Sequence, residues 1–287
     1  MPDYTTLIDC DQLATLLQQG PAPAIFDCRF DLAAPDAGEA GYAEAHLPTA
    51  QYLHLDRDLS GSQSGLNGRH PLPSRDALIQ RLRDAGLNQG QQVVVYDAQG
   101  GMFAARAWWL LRWLGHRAVA VLDGGVAAWQ ASDGALHTDT LTPVRGDFID
   151  TKALVGTIDR QALLTNVQQR GPLTVIDARS ADRFRGENET LDLRAGHIPG
   201  ARNRFFRDNL ASDGRFKPAD RLRQEFEALT GQADARDWVQ QCGSGVTACH
   251  NLLALELAGL PGSRLYPGSW SEWSSHPEAP LAQGDAV

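Results

Sequence analysis

The sequence predicts an α/β protein built from two copies of one domain, each a central, mainly parallel sheet flanked by helices on both faces. Three observations carry this. Short apolar, β-branched runs alternate with helical patterns along the chain, four sequence blocks occur twice in the same order, and 287 residues suit two domains that each bury a core.

In the first copy the strand runs are "AIFDC" (24 to 28), "QVVVYD" (92 to 97) and "AVAVLD" (118 to 123), with a helical pattern in "SRDALIQRLRDAG" (74 to 86). In the second, "TVIDA" (174 to 178) and "DWVQQ" (237 to 241) read as strands. There "PADRLRQEFEALTG" (218 to 231) and the Leu252, Leu253, Leu255, Leu257 pattern read as helices. Such βα alternation gives a parallel sheet whose ligand chemistry lies at the carboxyl ends of the strands.

The repeat is explicit. "PAIFDCRF" (23 to 30) matches "LTVIDARS" (173 to 180), pairing Asp27 and Arg29 with Asp177 and Arg179. "AEAHLPTAQYLHLD" (43 to 56) matches "LRAGHIPGARNRFF" (193 to 206), pairing His46 with His197. "QVVVYDAQGGMFAARAWWLLRWLG" (92 to 115) matches "DWVQQCGSGVTACHNLLALELAG" (237 to 259), and "LDGGVAAW" (122 to 129) matches "YPGSWSEW" (266 to 273). The first domain is placed at 1 to 140, a polar Gly- and Pro-bearing linker at 141 to 156, and the second domain at 157 to 287.

Composition narrows the functions. A formal net charge of -9 with dispersed Lys and Arg leaves no footprint for nucleic acid. The most apolar stretches are short or interrupted by charge, so no membrane span is expected. "MPDYTTLIDCDQL" has neither the basic nor the apolar region of a secretory signal. Four cysteines in so long a chain make no disulfide framework, which fits reduced thiols and a cytoplasmic setting.

Cys242 stands apart from the other three. It leaves the strand "DWVQQ" into Gly243, Ser244 and Gly245 before a helix, and the equivalent residue of the first copy is Asp97. A Gly-rich turn there points backbone N–H groups at one place, where the helix dipole also favours an anion, so a thiolate is stabilised and nucleophilic. Gly243 and Gly245 supply backbone freedom and an open entrance; Ser244 and Thr247 add hydroxyls. The alternative is a small buried hydrophobe, which is the better reading of Cys249, Cys10 and Cys28. A zinc site is disfavoured because C-x6-C-H lacks close ligand pairing. Cysteine phosphatases clamp phosphate with an Arg six residues after the nucleophile; Ala248 occupies that position.

With the duplication and this loop, the chain resembles the tandem rhodanese-domain sulfurtransferases. "CGSGVTA" (242 to 248) is similar to the active-site loop of the 3-mercaptopyruvate branch, and "RFRG", "GHIPGA", "LDGG" and "GSWSEW" are further family motifs. The resemblance implies a first domain without the nucleophile and a catalytic second domain. It implies a small anionic sulfur donor, a Cys242 persulfide, and a thiol, cyanide or thioredoxin-like acceptor, with no metal and no cofactor. Carried over residue by residue, it makes the loop of Gly243, Ser244, Gly245, Val246 and Thr247 a substrate cradle and Arg183 the donor-binding guanidinium. It also makes Asp56 and His70 members of a proton relay with Ser244. His46 and His197 occur in both copies and read as structural.

The match departs from the branch at one telling place. Where a second Arg helps to hold the donor carboxylate, this chain has Thr190, with Arg194 four residues on. That contact is therefore either missing or supplied from elsewhere. Thiosulfate as donor, and a persulfide carrier or redox module without turnover, are the competing functions.

Overall fold

The computed structural model describes residues 3–139, 142–231 and 234–285; Thr140 and Leu141, where the expected first domain ends and the linker begins, lie outside them. The chain separates into two units. The first comprises residues up to Gly61, Pro73–Leu154 and Ser212–Phe216; the second comprises Ser62–Leu72, Val155–Ala211 and the residues from Lys217 on. Each unit thus includes a short segment lying, in sequence, within the span of the other.

The first unit contains β1 (Leu7–Ile8), α1 (Cys10–Gln19), β2 (Ala24–Asp27), α2 (Ala37–Glu44), β3 (Gln51–Tyr52), α3 (Arg75–Asp84), β4 (Val93–Tyr96), α4 (Ala104–Trp113), β5 (Val119–Leu122) and α5 (Gly125–Ala131). The sheet runs β1-β5-β4-β2-β3, all pairs parallel, with β2 and β4 in the register Ala24↔Val93 to Asp27↔Tyr96. All four residues of β4 and of β5 are buried, as a strand covered on both faces requires. Ile25, Val94 and Ala120 pack with Leu13 and Leu16 of α1. Each fully buried Leu, Ile or Val among these contributes about 1.5 to 3 kcal/mol.

The second unit repeats the plan. It has β6 (Gly156–Thr157), α6 (Arg160–Gln169), β7 (Thr174–Asp177), α7 (Ala181–Arg185), β8 (Arg202–Asn203), α8 (Ala219–Thr230), β9 (Trp238–Gln241), α9 (Thr247–Leu257), β10 (Arg264–Leu265) and α10 (Ser269–Ser275). Its parallel sheet runs β6-β10-β9-β7-β8, with β7 and β9 in the register Thr174↔Trp238 to Asp177↔Gln241. The alternation of strand and helix read from the sequence is the alternation found.

The repeated motifs are mostly scaffold. Arg179 bonds Asp177 and donates to the Gly196 carbonyl at 2.7 Å, as Arg29 bonds Asp27 and reaches the Ala45 carbonyl at 2.7 Å. His46 stacks on Tyr42 with its Nδ1 2.8 Å from that residue's carbonyl oxygen. His197 does the same against Phe184, at 2.9 Å. Both histidines hold the turn that follows, so their geometry is structural.

Candidate active site

Cys242 follows β9 and is 2% exposed. Its backbone is fixed from one side. The amide donates to Ser269 Oγ at 3.1 Å, its carbonyl accepts from Trp270 N–H at 3.0 Å, and the Gly243 carbonyl accepts from Ser271 N–H at 2.9 Å. The start of α10 therefore clamps the start of the loop. Ser269 holds φ 52, a left-handed conformation that its counterpart Gly125 shares at φ 58. A serine there costs about 1 to 2 kcal/mol, and its hydroxyl is what the first copy lacks.

The loop then turns back on the thiol. Gly245 N–H points at Cys242 Sγ at 3.1 Å. Gly245 needs to be glycine, since it has φ +79 and a Cβ would collide with the Pro267 carbonyl oxygen. At Gly243 the space of a Cβ is approached by the guanidinium of Arg69, whose Nη2, the far end of a flexible side chain, lies 2.9 Å from where a Cβ would be. The sequence reading assigned backbone freedom to both glycines; the left-handed backbone belongs to Gly245. Val246 precedes α9 and offers no side-chain oxygen, so first-turn N–H groups of α9 face the loop without a capping hydroxyl or carboxylate.

The first unit shows what such a loop holds. Asp97, buried at the same position, accepts four backbone N–H bonds: Gln99 at 2.8 Å and Gly101 at 2.9 Å on Oδ1, Phe103 at 2.8 Å and Ala104 at 2.9 Å on Oδ2. Burial pushes this carboxyl above the usual range, and the four N–H groups work against that shift. One copy of the loop thus carries its own carboxylate. The other carries a thiol with an N–H aimed at its sulfur.

The remaining expected residues fall as follows. His70, in the Ser62–Leu72 segment, brings Nδ1 to 2.7 Å from Ser244 Oγ; both side chains are buried. Arg183, on α7, donates from Nη2 to Glu189 Oε1 at 2.8 Å and to Asp192 Oδ2 at 3.2 Å, and remains 21% exposed. Its Nη1 lies 3.6 Å from the Cβ position of Gly243, beside the nucleophile. Asp56 belongs to the first unit, exposed, with its amide donating to His54 Nδ1 at 3.1 Å. Thr247 opens α9, and Cys249 is buried in that helix with Sγ 3.3 Å from the Gly245 carbonyl oxygen.

Sequence reasoning missed Arg69, Glu189, Asp192 and the separate task of Ser269. Arg69 bonds Asp192 Oδ1 through Nη1, so Asp192 ties Arg69 to Arg183. Burial pushes Glu189 up, and the hydrogen bonds from Arg183 and the Leu191 N–H more than offset it, holding the carboxyl below its ordinary value. Burial raises Asp192, with Arg69 pulling the other way. Arg69 was adjacent to His70 in "GRHPLP", and the Gly125-to-Ser269 difference was visible between the aligned blocks. Nothing in the sequence marked Asp192, a buried acid between exposed Leu191 and Leu193.

Residues 9–132 and 160–276 each match the rhodanese-like domain family. The chain belongs to that family, as a tandem-domain sulfurtransferase. Among its relatives is "Probable 3-mercaptopyruvate sulfurtransferase" of Pseudomonas aeruginosa, 49% identical over 281 residues that cover 97% of this chain and 98% of the relative. A thiosulfate sulfurtransferase of Cricetulus griseus is 32% identical over 98% of this chain and 96% of its own. SseA of Escherichia coli, described as a 3-mercaptopyruvate sulfotransferase, superimposes with TM-score 0.80 at 32% identity, covering 94% of this chain and 100% of SseA. No described helix is long and apolar enough to cross a membrane.

Proposed function

We propose that this sulfurtransferase takes its sulfur from 3-mercaptopyruvate and carries it as a persulfide on Cys242. The observation that carries the reading is the Gly245 N–H aimed at Cys242 Sγ at 3.1 Å, in a loop whose twin holds a carboxylate. An N–H donor held on the sulfur suits a nucleophile that must carry charge through the transfer.

In this reading the thiolate attacks the sulfur of the donor. A bond forms between the two sulfurs, the donor C–S bond breaks, and its electron pair passes to the carbon as the enolate of pyruvate. Ser244 and His70, 2.7 Å apart, are the groups that move the donor's thiol proton and return one to the enolate carbon. Asp56 joins this relay on the correspondence of its motif. The N–H groups of Gly245, Val246 and Thr247 steady the charge as it moves. An incoming thiolate, cyanide or a thioredoxin-like protein then attacks the outer sulfur and frees Cys242. The acceptor thiol and the cytoplasmic setting fit a chain with four free cysteines.

Intact mass after incubation with 3-mercaptopyruvate tests this. The chain gains one sulfur, about 32 Da, and the gain disappears in Cys242→Ser and survives in Cys249→Ser. A wild-type chain with no gain would end the persulfide reading. Thiosulfate is the second reading, supported by the likeness to the Cricetulus griseus protein; a higher kcat/KM for thiosulfate than for 3-mercaptopyruvate decides in its favour.

A further inference from the structure

The two short segments that each unit takes from the sequence span of the other are a further repeated block. "NGRHPLP" (67 to 73) precedes α3 and "DGRFKP" (213 to 218) precedes α8, which pairs Gly68 with Gly214, Arg69 with Arg215 and His70 with Phe216. The two glycines share a left-handed backbone, at φ 83 and φ 81. The groups that anchor the two segments differ. In the first unit Asp123 Oδ1 accepts the Phe216 N–H at 2.9 Å. Pro267 stands at the equivalent position of the second unit, and its ring offers no acceptor. There Ser271 takes over: its Oγ accepts the Arg69 N–H at 3.0 Å, one residue earlier in the turn. The first copy has Ala127 in place of Ser271, with no hydroxyl. An acceptor absent at 267 is thus supplied at 271.

Ser271 holds two backbones at once. Its Oγ donates to the Gly268 carbonyl at 3.1 Å, which commits the hydroxyl proton and leaves a lone pair for the Arg69 N–H. Its own N–H donates to the Gly243 carbonyl at 2.9 Å. Arg69 is the residue before His70, and Gly243 is the residue before Ser244. One residue therefore fixes the chain one step upstream of each partner in the 2.7 Å contact between His70 Nδ1 and Ser244 Oγ. The rest of the turn is held as well. The Arg69 carbonyl accepts from Gln63 Nε2 at 2.7 Å, and Gly68 packs against Gly268 so closely that a Cβ would come 2.7 Å from that carbonyl oxygen.

We propose that Ser271 is a positioning residue for proton transfer: its hydroxyl sets the Ser62–Leu72 segment so that His70 meets Ser244. This rests on the reading of His70 and Ser244 as the proton-moving pair. A proton passes over a short, aligned contact, about 2.6 to 3.2 Å between heavy atoms. Without the hydroxyl, the peptide that precedes His70 loses its partner and the ring is no longer held at that distance. Replacement by Ala isolates the effect, because the Ser271 N–H stays on the Gly243 carbonyl and Ala is a good residue for α10.

The His70 ring resonances, read by NMR in the full-length protein, test the placement without turnover. In Ser271→Ala they move towards their positions in Ser244→Ala, where the partner itself is removed. Ser271→Thr, which keeps the hydroxyl, restores the wild-type positions. Kinetics test the consequence. Ser271→Ala lowers kcat for 3-mercaptopyruvate by about tenfold with KM changed by less than about twofold, and sulfur loading from thiosulfate falls far less. In a His70→Ala background the same substitution costs nothing further, since it acts through a ring that is already gone. Unmoved His70 resonances in Ser271→Ala overturn the proposal, as does a loss that multiplies with that of His70→Ala. Moved resonances in a protein that takes no sulfur from 3-mercaptopyruvate uphold Ser271 as the residue that places His70 and remove the donor assignment instead.

Discussion

His70 Nδ1 and Ser244 Oγ lie 2.7 Å apart, although 174 residues separate them in the chain. That bond places a titratable ring against the hydroxyl two residues after the nucleophile. Its use depends on the leaving group. A departing pyruvate enolate must be protonated at carbon, whereas sulfite from thiosulfate leaves as a stable anion. His70→Ala therefore lowers kcat with 3-mercaptopyruvate by about 10²-fold or more and lowers sulfur loading from thiosulfate far less. Rapid-quench persulfide formation with the two donors reads this directly, and equal losses would remove the proton-transfer role.

Ser269 invites a sharper stability test. It is buried, sits at φ 52, and accepts the Cys242 amide while donating to the Tyr266 carbonyl at 3.0 Å. Ser269→Ala keeps the left-handed strain and strands a buried N–H, costing about 1 to 3 kcal/mol. Ser269→Gly strands the same N–H and removes about 1 kcal/mol of strain. Urea midpoints should fall in the order wild type, Gly, Ala. The reverse order of the two variants would mean that the backbone strain is not real.

How much of this was legible beforehand can be judged from Cys242 and Arg69. The nucleophile was readable because its signal is local: a strand, glycines and a helix in consecutive residues, repeated in the first copy with Asp97. Arg69 was not, because its place beside Gly243 depends on the Ser62–Leu72 segment belonging to the second unit, more than a hundred residues before the loop. Hydrophobic periodicity carries no trace of such a crossing. The alignment with Thr190 pointed to Arg194 as the nearest cation, and sequence distance does not show that its donors are taken by the end of α10.

Glu189 supplies a pH dependence with a definite sign. Its folded-state carboxyl is held below its unfolded value, chiefly against burial, by hydrogen bonds from Arg183. Its contribution to stability is therefore fully present above the ordinary Glu range, near pH 4 to 5, and is lost as pH falls through the depressed folded value. Glu189→Gln is less stable than wild type at pH 7, and the gap in Tm narrows as pH is lowered towards 3. A gap independent of pH would show that the contact with Arg183 does not depend on the carboxylate charge.

Asp97 offers the corresponding test in the first unit, where no sulfur chemistry is expected. Each of its carboxylate oxygens accepts two backbone N–H groups, and the side chain is 1% exposed. Asp97→Asn keeps the shape and turns one acceptor into a donor facing two N–H groups. Those two bonds are lost, and removal of a buried charge returns part of the cost because burial already disfavours the ionised form. The net loss is about 2 to 4 kcal/mol, read as a lower urea midpoint with an unchanged slope. Sulfur loading of Cys242 at 25 °C should be unchanged, since the second copy of the loop makes its own hydrogen bonds. A variant as stable as wild type would show that the first loop does not depend on its internal anion, and the argument from Asp97 to an anion-holding loop at Cys242 would lose its physical basis.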